Sequence, residues 1–244
     1  MNKDKLFKWI LFFVLMLSIN KMNAQTATSN QSLDARQQHI VSISALTAVG
    51  DLPHLQNQLN KGLDAGLTIS EIKEILVQLY AYCGFPRSLN GINTFMTVLQ
   101  ERKAKGITDV VGKEAEVIND TTDTYERGRR VLEMLTKTPQ AKPAPGFGAF
   151  APRIDVFLKE HLFADIFEST VLTYQQRELV TIAALAAMTG VEAQLQAHFG
   201  MGMNTGITEQ QLHQLIYIIE KNVGKKGADT GKQVLAKVIA ARQK

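Results

Sequence analysis

An internal duplication limits the possible folds of this chain more than any other feature. The stretch SALTAVGDLPHLQNQLNKGLDAGLTISEIKEIL, from Ser44 to Leu76, aligns with AALAAMTGVEAQLQAHFGMGMNTGITEQQLHQLI, from Ala183 to Ile216, with one inserted residue at the turn. Each copy reads as a helix, a glycine turn at Gly50 or Gly190, a second helix closed by Gly66 or Gly206, and a third helix. The third helix opens with a capping box in both copies, Thr68-Ile69-Ser70-Glu71 and Thr208-Glu209-Gln210-Gln211. Apolar residues then recur at helical spacing, Ile72, Ile75, Leu76 and Leu79 in one copy and Leu212, Leu215, Ile216 and Ile219 in the other, and are assigned to the core. No strand pattern is present, so the fold class is all-α. Function is expected where the copies differ.

The first 24 residues are set apart from the fold. Lys3, Lys5 and Lys8 precede an apolar run from Trp9 to Ile19, and Met22-Asn23-Ala24 ends in a small residue suited to cleavage before Gln25. This is the pattern of a secretory signal peptide. The run is too short for a spanning anchor, which needs roughly 20 apolar residues, and no cysteine stands near the cut for lipid attachment. A periplasmic or secreted location follows, with no stable membrane insertion after cleavage. The formal charge of +4 falls to about +1 without this segment, because residues 1–24 hold four lysines and one aspartate and leave 23 basic groups against 22 acidic. No basic face remains to attract nucleic acid. Cys83 is the single cysteine, so an internal disulfide is excluded and stability rests on packing.

The expected organisation is a signal peptide at 1–24, a first repeat at 25–103, a linker with one helix at 104–149, and a second repeat at 150–244. The linker helix is expected over Thr124 to Leu135, and Pro139 to Pro152 is rich in proline, glycine and alanine. Arg153 to Ser169 reads as an amphipathic helix whose Phe157, Phe163 and Phe167 pack inward.

The second copy's LTYQQRELVTIAALAAMTGVEAQLQAHFGMGMNTGITEQQL and the first copy's ILVQLYAYCGFPRSLNGINTF resemble the carboxymuconolactone decarboxylase family, which includes the AhpD-type alkylhydroperoxidases. The resemblance covers residues 33 to 103 and 150 to 240. It implies an AhpD-like all-α fold and rings of six repeats, hence a homotrimer of two-repeat chains.

Glu178 and His198 form the candidate proton-transfer pair, a carboxylate and an imidazole on adjacent helices. Their distances from Gly190 along the hairpin differ by about 6 Å at 1.5 Å per residue, which predicts a bridging water or substrate rather than a direct bond. The competing structural reading places Glu178 at a positive helix N-terminus and His198 as a satisfied interior histidine. In AhpD-type members the matching helix pair carries Cys-x-x-Cys-x-x-x-His, and the cysteine positions here are Val191 and Gln194. A dithiol peroxidase cycle lacks its second sulfur. In the first copy His39 and Gln58 stand where Glu178 and His198 stand in the second. That copy keeps the Tyr82 to Arg87 stretch, against Asn222-Val223-Gly224-Lys225-Lys226. The halves are therefore expected to build one composite site, within a chain or between chains, with Tyr80, Tyr82, Pro86 and Arg87 as substrate-binding candidates.

Pro86 suits the first turn of a helix through Leu89, Ile92 and Phe95, which places Cys83 just before a helix N-terminus, where the dipole and Arg87 favour a thiolate. Cys83 is thus a third catalytic candidate, against a plain packing role. Aromatic packing against Phe85 is the alternative role for Tyr80 and Tyr82. The remaining histidines show no metal-ligand spacing, the Gly200 to Gly206 stretch is not a phosphate loop, and no cofactor is called for. Three functions remain open. One is an exported decarboxylase-like lyase that acts on a small carboxylated or lactone-type substrate, with His198 or Arg87 supplying charge and a proton. The second is a peroxiredoxin-like protein that uses Cys83, and the third is a non-catalytic oligomeric binding protein. Carboxymuconolactone belongs to catabolism inside the cell, so an exported member is expected to differ from the namesake in substrate.

Overall fold

The computed structural model describes residues 32–116, 119–142 and 144–243; the expected signal peptide lies outside them. Ten α-helices and one π-helix account for the regular structure, with no strand among the described residues: α1 (Ala35–Val49), α2 (Leu52–Asp64), α3 (Ile69–Ala104), α4 (Thr124–Thr136), α5 (Phe147–Phe150), α6 (Pro152–Val156), the π-helix (Phe157–Ile166), α7 (Tyr174–Ala187), α8 (Glu192–Asn204), α9 (Glu209–Asn222) and α10 (Lys225–Arg242). This is the all-α, two-repeat AhpD-like arrangement that the resemblance implies.

The repeat is visible in local geometry. Both predicted capping boxes form, with Thr68 accepting from the Glu71 amide and Thr208 from the Gln211 amide. The third helix breaks at the same glycine in both copies. Gly84 (φ 82°) interrupts α3, and Gly224 (φ 139°) separates α9 from α10; an L side chain is strained in both conformations. Pro86 lies two residues past the break, in the first turn of the 85–104 segment, where its missing N–H costs nothing.

Helices α1 and α7, the first helix of each repeat, pack against each other at the centre, and third helices cross over: α3 also packs on α7 and α9 on α1. Every α7 residue from Arg177 to Ala187 is buried, eleven of its fourteen, and one core runs through both repeats from Ile40, Ile43 and Leu46 to Leu179, Ile182 and Leu215. Burying one such aliphatic side chain contributes about 1.5–3 kcal/mol, so the duplicated helices stabilise each other as one body.

A second apolar cluster covers the second repeat. Val131 and Leu135 of α4, Leu162, Phe163 and Ile166 of the π-helix, Phe167 and Met201 form it, with Tyr80, Tyr82 and Tyr174 packed alongside. The continuous α-helix expected over Arg153 to Ser169 is instead α6 followed by wider π turns; Phe167 N donates to Leu162 O, five residues back. The π-helix thereby presents its Lys159 carbonyl to α4 at Gly128, where a Cβ would stand 1.8 Å from the oxygen. Phe163 and Phe167 pack as expected, but Phe157 is half exposed because the wider turns carry it off the buried face.

Candidate functional site

Glu178 stands in the second turn of α7, a helix started by the Thr173 and Gln176 capping box. His198 stands midway along α8. Their side chains meet directly: His198 Nδ1 donates to Glu178 Oε2 at 2.9 Å, where a bridged pair was expected. The reason lies one turn along α8. A Cβ on Gly202 would be 2.8 Å from Ile182 Cδ1 and 3.8 Å from the Glu178 Cβ, so the glycine lets α8 press onto α7 and closes the gap. Counting from Gly190 also overstated the offset, since α7 ends at Ala187 and α8 begins at Glu192. Glu178 is fully buried, whereas the His198 side chain keeps 8% exposure. His198 Nε2 has no hydrogen-bond partner among the described residues.

The equivalent residues of the first repeat are joined in the same way, His39 Nδ1 donating to Gln58 Oε1 at 3.0 Å. The duplication has kept the geometric link while replacing the acid/base pair.

The crossed third helix completes each site. Tyr82 of α3 presents its ring edge to His198 at a centroid distance of 5.5 Å. In the pseudo-equivalent position, Asn222 Nδ2 donates to Ser42 Oγ at 2.9 Å. Of the Tyr82 to Arg87 stretch expected to join Glu178 and His198, Tyr82 thus does so within one chain, whereas Cys83 and Arg87 turn to other partners. Burial, and then the charge of Glu178, hold the Tyr82 phenol well above its ordinary range.

Three further side chains frame the pair, and sequence reasoning passed over them. Gln78 Nε2 donates to the Arg177 carbonyl at 2.9 Å and to Thr181 Oγ1 at 3.0 Å. Arg177, fully buried, donates to Gln78 Oε1 at 2.9 Å, to Glu74 Oε1 at 2.7 Å and to the Ser169 carbonyl at 2.8 Å. Burial pulls the Arg177 guanidinium below its usual value, and the Glu74 carboxylate opposes that shift. Glu74, Gln78 and Tyr82 are spaced i, i+4, i+8 on one face of α3. That polar stripe beside the apolar positions of the helix was the available signal.

Other candidates sit elsewhere. Arg87 donates to the Ala48 carbonyl at the C-terminal end of α1 and is committed to the first repeat. Tyr80 stacks on Phe85 at 4.6 Å and lies 5.5 Å from the His161 ring, the packing role rather than a place beside His198. Pro86 is exposed at the α3 break. Cys83 precedes that break, so it belongs to the C-terminal end of one segment rather than gaining from the N-terminus of the next. Its thiol donates to the Leu79 carbonyl at 3.1 Å. Burial pushes the thiol up to about 11 against a smaller opposing effect of Arg87. This geometry opposes a reactive thiolate. Alkylation by iodoacetamide at pH 8 is expected to run about 100-fold slower than for a cysteine titrating two units lower, and a rate equal to that of free cysteine would refute this. The raised value also means that the unfolded chain ionises first, so this contribution to stability is whole below about pH 9 and is lost as pH rises through about 11.

Among the described residues, no group of three His, Cys, Asp or Glu side chains is placed to hold a metal ion, and no helix is long and apolar enough to cross a membrane. The chain is 27% identical over 70 residues to an uncharacterized protein of Methanocaldococcus jannaschii; the match covers 29% of this chain and 65% of that protein. The sequence model of the carboxymuconolactone decarboxylase family matches twice, over residues 15–94 and 152–228. The first match takes in α1, α2 and most of α3, and the second takes in α7, α8 and α9 and contains both Glu178 and His198. With most of its length accounted for by two copies of that unit, the chain belongs to the carboxymuconolactone decarboxylase family.

Proposed function

We propose that this protein is an enzyme that uses Glu178 and His198 to move a proton on a small carboxylated or lactone-type substrate. Family membership supports decarboxylase- or peroxidase-like activity in the broad sense. The observation that carries the finer reading is the direct, buried 2.9 Å contact between His198 Nδ1 and Glu178 Oε2. A carboxylate on Nδ1 fixes the imidazole tautomer and stabilises the imidazolium, which leaves Nε2 to give or take the proton. In a decarboxylation the bond to the leaving CO2 breaks and its electron pair passes into an enolate. Protonated His198 Nε2 then delivers the proton to carbon. The single cysteine, with its thiol held high, disfavours the peroxidase alternative.

The test is CO2 release by the folded protein beginning at Gln25 from a panel of small carboxylated and lactone-type compounds that includes carboxymuconolactone, with turnover of at least one member expected. Carboxymuconolactone left intact would reject the namesake reaction, and a panel left intact would reject the proton-transfer reading. Export and trimerisation belong to the same proposal. The basic and apolar residues before Gln25 support the first, and the exposed Phe85, Leu89 and Met96 of α3 offer apolar surface for the second. A mature N-terminus at Gln25 and a native mass of three chains are the expected observations; an uncut chain or a monomeric mass would count against them.

A further inference from the structure

The two pseudo-equivalent sites differ in how their polar groups are satisfied. In the first-repeat site His39 pairs with Gln58 and Asn222 pairs with Ser42. In the second, Glu178 commits Oε2 to His198 while its Oε1 has no partner, and the Tyr82 hydroxyl, standing where Asn222 stands, makes no hydrogen bond of proper geometry although the Thr181 side chain lies beside it. Thr181, the counterpart of Ser42, accepts from Gln78. Among the described residues four buried side-chain polar atoms lack a partner, and all four belong to this quarter of the molecule: Tyr82 Oη, Glu178 Oε1, Arg177 Nε and Ser169 Oγ. Burying an unpaired polar atom is costly, and each such group in a native fold calls for an explanation. Here one unpaired atom can donate and the other can only accept, and both belong to side chains that contact the same imidazole.

We propose that Tyr82 Oη and Glu178 Oε1 are the two halves of a receptor for one hydroxyl group of the ligand. Tyr82 donates to the hydroxyl oxygen, the hydroxyl donates to Glu178 Oε1, and the ligand is thereby seated against the His198 ring. The inference rests on the Glu178–His198 reading and deepens it: the ligand carries an alcohol, enol or phenol O–H beside the group that reacts. A carboxylate or ether oxygen accepts only and would oppose Glu178 Oε1. The terminal nitrogens of Arg177 are spent on Glu74, Gln78 and Ser169, which leaves only its Nε without a partner. Tyr82 is then a specificity residue, and its place on α3 means that the second-repeat site is incomplete without the first repeat.

The experiment uses the full folded chain with three probes of similar size, phenol, anisole and toluene, followed on the His198 ring resonances. A hydrogen bond to a charged acceptor corresponds to a preference of about tenfold or more for phenol over the other two. Tyr82→Phe removes the donor that the phenol and anisole oxygens share, so it should reduce the preference of phenol over toluene several-fold, whereas the preference of phenol over anisole, set by Glu178 Oε1, should persist. Tyr82→Phe also removes a buried unpaired hydroxyl and should raise the melting temperature of the ligand-free protein by about 2–4 °C, whereas loss of a structural hydrogen bond would lower it. Equal binding of the three probes by the wild type would overturn the proposal, as would a Tyr82→Phe protein that melts lower and prefers phenol over toluene as strongly as the wild type does. Turnover is not read in this experiment. Failure here leaves the proton-transfer reading standing, and phenol preference without any turnover counts against that reading alone.

Discussion

His198→Gln should fold normally and lose about 10²–10⁴-fold in turnover, the usual contribution of a general acid or base. Glutamine is the informative replacement because the first repeat already carries it. Gln58 occupies the equivalent position and pairs with His39 at 3.0 Å, so this architecture accommodates an amide there. The amide can still donate to Glu178 Oε2, which avoids leaving that buried carboxylate without its one partner, but it cannot carry a proton near neutral pH. Glu178→Gln should reduce turnover by a similar factor for a different reason. Its carbonyl or its NH2 can face Nδ1, and the second choice moves the imidazole proton to Nε2, the wrong tautomer for a base. Measured beside the melting temperature, the two variants separate chemistry from folding. Full activity in stable His198→Gln protein would end the proton-transfer proposal.

Arg177→Ala should cost about 3–5 kcal/mol of stability, the range for breaking a buried ion pair from one side. At roughly 2–4 °C per kcal/mol for a chain of this size, the melting temperature should fall by about 6–20 °C. Arg177 is fully buried, and its removal leaves Glu74, Gln78 and the Ser169 carbonyl without their donor. Gln78 also holds the α7 backbone and Thr181, so the register between α3 and α7 that delivers Tyr82 to His198 should loosen as well. Arg177→Met with Glu74→Leu removes both charges and keeps the volume. The pair should recover most of the loss, because the desolvation of both ions disappears with their attraction. A single-variant cost below about 1 kcal/mol would place this network among the weak surface pairs instead.

Local features were legible before any coordinates. The capping hydroxyls Thr68 and Thr208, the turns at Gly50, Gly66, Gly190 and Gly206, and the linker helix at Thr124 each depend on a few adjacent residues, and each appears where the pattern put it. The second-repeat pair Glu178 and His198 was legible too, because the two copies could be compared position by position. The direct bond between them was not. It depends on how far Gly202 lets α8 approach α7, a property of two surfaces rather than of one helix. The π turns at Phe157–Ile166 and the fate of Cys83 were missed for related reasons: one arises against α4 at Gly128, and the other depends on which side of the Gly84 break the thiol falls.

Periodicity and duplication alone required an all-α chain made of two related helical units, since apolar spacing, caps and glycine stops act within one or two turns. Which residues of one unit serve the other was decided only by packing. Gln78 meets Arg177 across 99 positions of chain and Tyr82 reaches His198 across 116, because α1 and α7 bury their faces against each other and draw the third helices across. A contact between residues so far apart leaves no local mark; it is selected by the complementarity of whole helix faces, and that complementarity exists only in the assembled core.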